Sequence, residues 1–167
     1  MIDIRDANTD DCLLIRQLAS QIWEPTYGHI LSPGQLDYMF EWMYSEESLK
    51  KQMTGLGHRF FIASSDGRPC GYVSVERQEE QLFHIQKIYV LPEMQGKKIG
   101  RLLIEKAFSY IKGITGDGNK TVVELNVNRQ NKALDFYKRM GFKIARSGDF
   151  PIGNGYFMND YIMAIEI

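Results

Sequence analysis

The stretch His84–Leu103, HIQKIYVLPEMQGKKIGRLL, decides how this chain folds. Ile85, Ile88, Tyr89 and Val90 are β-branched or aromatic and run up to Leu91-Pro92, so they read as a strand that stops there. A polar connection follows, Glu93-Met94-Gln95-Gly96-Lys97-Lys98, and apolar residues at helical spacing begin at Ile99. A strand that passes through a glycine-bearing turn into a helix aims the first N–H groups of that helix, and the positive end of its dipole, at one point. Such a point holds phosphate through backbone alone. Lys97, Lys98 and Arg101 add positive charge, and Gly96 and Gly100 let a ligand approach the backbone. The spacing is neither that of a P-loop nor that of a dinucleotide fold, so a strand-to-helix turn that binds nothing fits these residues equally well.

Outward from this stretch, 167 residues suffice for one core, and positions 1–167 read as a single domain. With 44% hydrophobic and 25% charged residues the chain is globular rather than disordered. A net charge of −1 gives no basic surplus for nucleic acid. Cys12 and Cys70 have no metal-ligand spacing, no other metal set is visible, and both thiols fit a reducing compartment. The N-terminus has no apolar signal core, and no apolar run is long enough for a membrane span. A cytoplasmic protein without metal, membrane or nucleic-acid partner is the expectation.

Ile2 and Ile4 alternate with polar residues as a short strand. Thr9, Asp10 or Asp11 can cap a helix whose apolar face is Leu14, Ile15, Leu18, Ala19 and Ile22, with Pro25 placed just past its end. Tyr27–Leu31 reads as a loop. Ser32-Pro33 opens a second helix through Tyr44, and Ser45 a third, short one to Gln52. From His58 the period becomes two. Arg59–Ala63, the Asp66-Gly67 turn, Cys70–Val75 and the strand of the opening stretch make three antiparallel strands. The Ile99 helix, a strand Thr121–Val127, a helix carrying Ala133, Phe136, Tyr137 and Met140, and strands Phe142–Ala145 and Tyr156–Ile165 complete the chain. A Gly-rich loop, Gly148–Gly155, is expected between the last two strands. The result is an α/β fold, a mixed sheet in the order β-α-α-β-β-β-α-β-α-β-β, the short third helix aside. Its crossover makes the strands near 85–90 and 121–127 parallel.

Two blocks in this order resemble the GNAT family of N-acetyltransferases. Gln95-Gly96-Lys97-Lys98-Ile99-Gly100 is similar to its acetyl-CoA motif, [RQ]-x-x-G-x-[GA], with Lys98 where the family usually has its first glycine. Asn131 through Phe142 resembles N-x-x-A-x-x-F-Y-x-x-x-G-F. Here Asn131 stands two residues before Ala133 rather than three, which leaves Asn128 as a rival. The N-terminal helices and the segment Gly153–Tyr161 look most like the PaiA-like branch, which includes spermidine/spermine acetyltransferases.

The resemblance implies two parallel strands that splay apart, with a pantetheine arm lying along Ile88, Tyr89 and Val90. Gln95, Gly96, Lys97, Lys98, Ile99, Gly100 and Arg101 would hold the pyrophosphate, and Asn128 or Asn131 the pantetheine amides. Tyr137 would be the acid for the departing thiolate, although by spacing alone it is a core residue. Acetyl would pass directly to an amine in a ternary complex, with an N–H near Tyr89 or Val90 stabilising the oxyanion. The base position falls on His84, a residue equally readable as an ordinary strand histidine. Alternation puts His84, Gln86 and Ile88 on one face.

The acceptor, a small amine such as a polyamine, would lie between the N-terminal helices and the Gly148–Tyr156 loop, with Tyr27 and Tyr156 as contacts. Glu24, Asp37, Glu41, Glu46, Glu47 and Asp160 could supply negative charge there, most of them being ordinary exposed residues. A protein or peptide acetyltransferase and a non-catalytic acyl-CoA-binding module are the alternatives. A homodimer paired through the final strand is a further expectation.

Overall fold

The computed structural model describes all 167 residues. Its first strand is β1 (Ile2–Asp6), followed by helices α1 (Cys12–Tyr27), α2 (Pro33–Tyr44) and α3 (Glu46–Thr54). Strands β2 (Arg59–Ser65), β3 (Arg68–Glu79) and β4 (Leu82–Val90) lead to α4 (Ile99–Thr115). Then come β5 (Val122–Asn128), α5 (Ala133–Arg139), β6 (Lys143–Gly153) and β7 (Tyr156–Glu166). All seven strands form one sheet in the order β1-β2-β3-β4-β5-β7-β6, and only β4 and β5 run parallel. The α/β architecture and element order match those expected.

Residue alternation assigns the two faces of the sheet. Phe61 and Val73 look towards α4, where Phe61 meets Tyr110 at 5.6 Å between ring centroids. Ile62, Tyr72 and Tyr89 look the other way, towards α1–α3, where Tyr72 meets Tyr44 and Tyr89 meets Trp23. Helix α5 packs beside α4: its Phe136 ring fills the space where a Cβ on Gly100 would stand, at 3.3 Å. A larger residue at position 100 would force the two helices apart.

Most local signals act as expected. Ser32 Oγ caps α2 by accepting from Gln35 N–H, with Pro33 at the first position. Asp66 and Gly67 have φ 50° and 83° and close the β2–β3 hairpin.

Several expectations need correction. The 148–155 stretch is not a loop. It belongs to an 11-residue strand, β6, that pairs with β7 down to Gly153↔Tyr156. The reversal is only Asn154-Gly155, with φ 54° and 78°, the Asn-Gly hairpin signal that the surrounding glycines obscured. Pro25 lies inside α1, not beyond it. Its missing N–H costs one bond in the last turn, and the Trp23–Tyr27 packing on that turn, at 4.6 Å between centroids, holds the helix on to Tyr27. The first helical turn is capped by Asn8, with Asp11 returning the bond, rather than by the residues after it. The final strand β7 is flanked by β5 and β6, so it has no free edge for a second copy; the free edges are β1 and β6.

The most consequential correction lies in β4. Ser74 pairs with Lys87 and Val75 with Ile85, so Gln86 is an extra residue, a β-bulge. His84 therefore shares its face with Lys87 and Tyr89, while Ile88 points to the opposite face with Ile85.

Candidate functional site

The parallel pairing of β4 with β5 runs from Leu82↔Val122 to Ile85↔Leu125 and stops there. Beyond the bulge the strands diverge, so the edge of β4 from Gln86 to Val90 faces an opening with no partner strand. Ile88 and Tyr89 thus lie where an extended chain of amides could bond to them. Gln95 Nε2 turns back to Val90 O at 3.3 Å.

At the mouth of this opening sits the Gly96–Arg101 turn. The backbone N–H groups of Gly96, Lys97, Lys98, Ile99, Gly100 and Arg101 donate to no acceptor in the protein; the first closed helical bond is Leu102 N–H to Lys98 O. Six free donors at the start of a 17-residue helix, with Lys97, Lys98 and Arg101 around them, fit a diphosphate. Lys98, in place of the family's glycine, adopts φ 66° and ψ 15°. It pays with strain for the conformation that aims these donors. Lys98→Gly is expected to raise the unfolding free energy by about 0.5–1 kcal/mol. Lys98→Ala, which keeps a Cβ at that φ, is expected to give no gain. Urea unfolding of both variants checks this.

Tyr137 is 7% exposed, its ring packed on Phe136 and Phe142 at 5.4 and 6.1 Å. Its hydroxyl has no partner in the protein and is not among the sealed unpartnered atoms. Burial holds its pKa far up, with Tyr27 close by, so the phenol is a protonated donor at every working pH. Tyr27 is not a loop residue: it ends α1, is buried, and its hydroxyl meets that of Tyr89 at 2.8 Å. Burial pushes Tyr27 up to about 12, partly offset by the bond to Tyr89, and the Asp160 charge raises it further.

Asn128 and Asn131 both stand at the end of β5, joined by Asn131 N–H to Asn128 O at 2.9 Å. Each spends its side-chain oxygen on a nearby backbone N–H, of Gln130 and Ala133, leaving the amide NH2 free. Asn128 lines the cleft beneath the α1–α2 connection, and Asn131 does not.

His84 sits between Glu76 on β3 and Glu124 on β5. Burial lowers its pKa and the two glutamates partly restore it, so the ring is neutral near pH 7. Asn126, on the same face of β5 as Glu124, donates its Nδ2 to Asp160 Oδ2 at 3.2 Å. Glu124 is paired with Arg146 at 2.8 Å. Asn126 was not singled out in the sequence. The signal was present, since Glu124, Asn126 and Asn128 put polar groups at every second position of an otherwise apolar strand.

A cleft of about 190 Å³ lies between the α1–α2 connection and the ends of β5 and β7, lined by Ile30, Ser32, Gln35, Asn128, Arg129 and Asn159. A more open one, of about 360 Å³, adjoins it through Gln35 and Asn159 and includes Tyr156. Tyr156 begins β7 at this outer end and packs on Tyr38, so Tyr27 and Tyr156 mark the inner and outer parts of the region, not one pocket. Of the six acidic residues, Glu24, Asp37, Glu41, Glu46 and Glu47 are not buried, and Glu41 is tied to Arg16. Only Asp160 is buried. No group of three or more histidine, cysteine, aspartate or glutamate side chains is placed to hold a metal ion, and no helix is long and apolar enough to cross a membrane.

The chain is similar to known proteins in sequence and in fold. An uncharacterised N-acetyltransferase of Methanocaldococcus jannaschii is 32% identical over 113 residues, 64% of this chain and 44% of that protein, so the chain matches under half of its length. A spermidine N(1)-acetyltransferase of Thermoplasma acidophilum is 27% identical over 150 residues, covering 86% of this chain and 89% of its own. The crystal structure of the PaiA N-acetyltransferase from Thermoplasma acidophilum in complex with coenzyme A superposes with a TM-score of 0.80 at 26% identity, covering 100% of this chain and 99% of that one. Residues 56–144, which include β4, the phosphate-fitting turn, β5 and α5, match the acetyltransferase (GNAT) domain, and the chain belongs to the GNAT family of acetyl-CoA-dependent acetyltransferases.

Proposed function

We propose that the chain transfers acetyl from acetyl-CoA directly to the primary amine of a small cationic acceptor such as a polyamine, in a ternary complex. The observations that carry this reading are the Tyr137 hydroxyl, unpartnered in the protein and not sealed off, and the edge of β4 left unpaired where it parts from β5. Acetyl-CoA supplies an activated thioester. The six free N–H groups of Gly96–Arg101 hold its diphosphate, and the open edge of β4 with Asn128 or Asn131 holds its amide arm. His84, neutral at pH 7, takes the proton that the amine gives up, through water. The amine nitrogen bonds to the carbonyl carbon, an N–H near Tyr89 or Val90 offsets charge on the oxygen, and the carbon–sulfur bond breaks. Tyr137 then protonates the leaving sulfur. The acceptor class is supported by the spermidine N(1)-acetyltransferase relative and by a cleft with buried Asp160 at its side.

Thiol release from acetyl-CoA against spermidine, spermine, amino acids, aminoglycosides and short peptides tests the reading. Polyamine turnover supports it. Acetylation confined to peptides or lysate proteins makes the chain a protein acetyltransferase, and binding of acetyl-CoA without any transfer makes it a binding module. The pH profile tests His84. A base with a lowered pKa is lost as pH falls, so the acid limb of kcat/KM should have its midpoint below the ordinary 6.5. His84→Ala should lose that limb and about 100-fold in rate. An unchanged limb removes His84 from the mechanism.

A further inference from the structure

Asp160 is 3% exposed, and buried aspartates are ordinarily paired with a cation or held by several donors. Its neighbour on the same sheet, Glu124, meets that rule through both guanidinium nitrogens of Arg146. Asp160 does not. It makes one side-chain hydrogen bond, Oδ2 accepting from Asn126 Nδ2 at 3.2 Å, and no ion pair. Arg129, at the end of the neighbouring strand, is engaged elsewhere. It bonds Asp149 Oδ1 at 2.6 Å, Ser147 Oγ and Gly148 O, and touches Asp160 only at the backbone carbonyl, at 3.5 Å.

Asp160 Oδ1 has no partner. The only sealed, unpartnered side-chain atoms are His58 Nδ1 and Ser74 Oγ, so Oδ1 opens on accessible space. Asn128, its register partner, shares its face of the sheet and lines the cleft under the α1–α2 connection, so Asp160 lies on that face directly beside a lining residue. A carboxylate lacking a cation, on the cleft-bearing face of the sheet and beside the lining residue Asn128, is complementary to a positive charge that the protein itself does not supply.

We propose that Asp160 is the anionic anchor of the acceptor site: its free oxygen receives a charged, non-reacting nitrogen of the acceptor. The enzyme therefore selects amines that carry a second positive charge over monoamines of the same length. The proposal rests on the acetyltransferase reading above. The anchored nitrogen is the non-reacting one because a carboxylate stabilises ammonium, and the attacking nitrogen must be unprotonated.

The test is kcat/KM for diaminobutane against butylamine in the wild type, Asp160→Asn and Asp160→Glu. The wild type should favour the diamine by about tenfold or more. Asp160→Asn should bring the ratio close to one, mainly through a higher KM for the diamine, and Asp160→Glu should restore part of it. General loss of folding lowers both rates together and leaves the ratio unmoved. A wild type without preference, or an Asp160→Asn variant that keeps it, overturns the proposal. Should neither amine be acetylated, calorimetric titration of the coenzyme A-bound protein with diaminobutane separates the two questions. Binding lost in Asp160→Asn keeps the anchor and sinks the reading of small amines as the acetylated acceptors; equal binding in both proteins, or none in the wild type, sinks the anchor.

Discussion

Tyr137→Phe should lower kcat by roughly 100-fold or more while leaving acetyl-CoA affinity and thermal stability nearly unchanged. The separation follows from how the residue is used. The ring fills a place beside Phe136 and Phe142, and phenylalanine fills the same place. The hydroxyl bonds to nothing in the protein, so its removal leaves no buried group unpaired. In the proposed mechanism, what disappears is only the proton offered to the departing sulfur. Because burial raises the tyrosine's pKa, its ionisation should not shape the rate at neutral or mildly alkaline pH. Steady-state kinetics with a differential scan of both proteins checks this. A variant with wild-type kcat would make Tyr137 a packing residue and assign the thiolate's proton to water.

Lys87→Met should stabilise the protein at pH 7 by about 2 kcal/mol. Lys87 is buried on the α1–α3 side of β4, with one hydrogen bond, Nζ to Gln52 Oε1 at 2.7 Å, and the rings of Tyr44 and Phe60 around it. Burial lowers its pKa from 10.5 to about 8. With the folded value depressed, the unfolded chain holds the proton more tightly. This group's stability is complete above pH 10.5 and is lost as pH falls through 8. At pH 7 the cost is roughly 3 kcal/mol, and leaving Gln52 Oε1 without its donor returns about 1 kcal/mol of it. Urea unfolding at pH 7 and pH 10 reads both parts: methionine should lead at pH 7, and the lead should shrink at pH 10. A destabilised variant at pH 7 would mean that the ammonium's bond and ring contacts outweigh its desolvation.

The sequence reading succeeded where a local cue and a global pattern agreed. Asp66-Gly67, Ser32-Pro33 and the strand-turn-helix at 84–103 each specify one local geometry, and the apolar periodicity around them points the same way. It failed where one residue resets the pattern. A bulge adds a single residue without any compositional mark, so alternation counted through Gln86 put His84 and Ile88 on one face when they point to opposite ones. At 148–155 the abundance of glycine and proline hid a long hairpin whose true turn is two residues. Pro25 was read by its usual preference, which packing of the last helical turn overrode. For the candidate site, the strand-turn-helix with its free N–H groups and the place of Tyr137 on a helix were legible because local backbone geometry and a motif carry them. The nearness of His84 to Glu124 and the Asn126–Asp160 bond were not, since they join strands whose adjacency is set only by the sheet order.

Only four residue pairs, Leu82 to Ile85 against Val122 to Leu125, join β1–β4 to β5–β7 within the sheet. In mechanical terms the molecule is two stiff leaves sharing a short spine. One leaf carries His84 and the phosphate turn, the other Asn126, Asp160 and, on its adjoining helix, Tyr137. The groups proposed to handle protons thus stand on both sides of this spine, His84 within it and Tyr137 on the helix that follows β5. A cofactor arm bonded along the open edge of β4 would act as a wedge of fixed width, setting the angle between the leaves before any acceptor arrives. The gap in the ladder would then serve as a gauge: it leaves the reacting groups unspaced until the acyl donor itself spaces them.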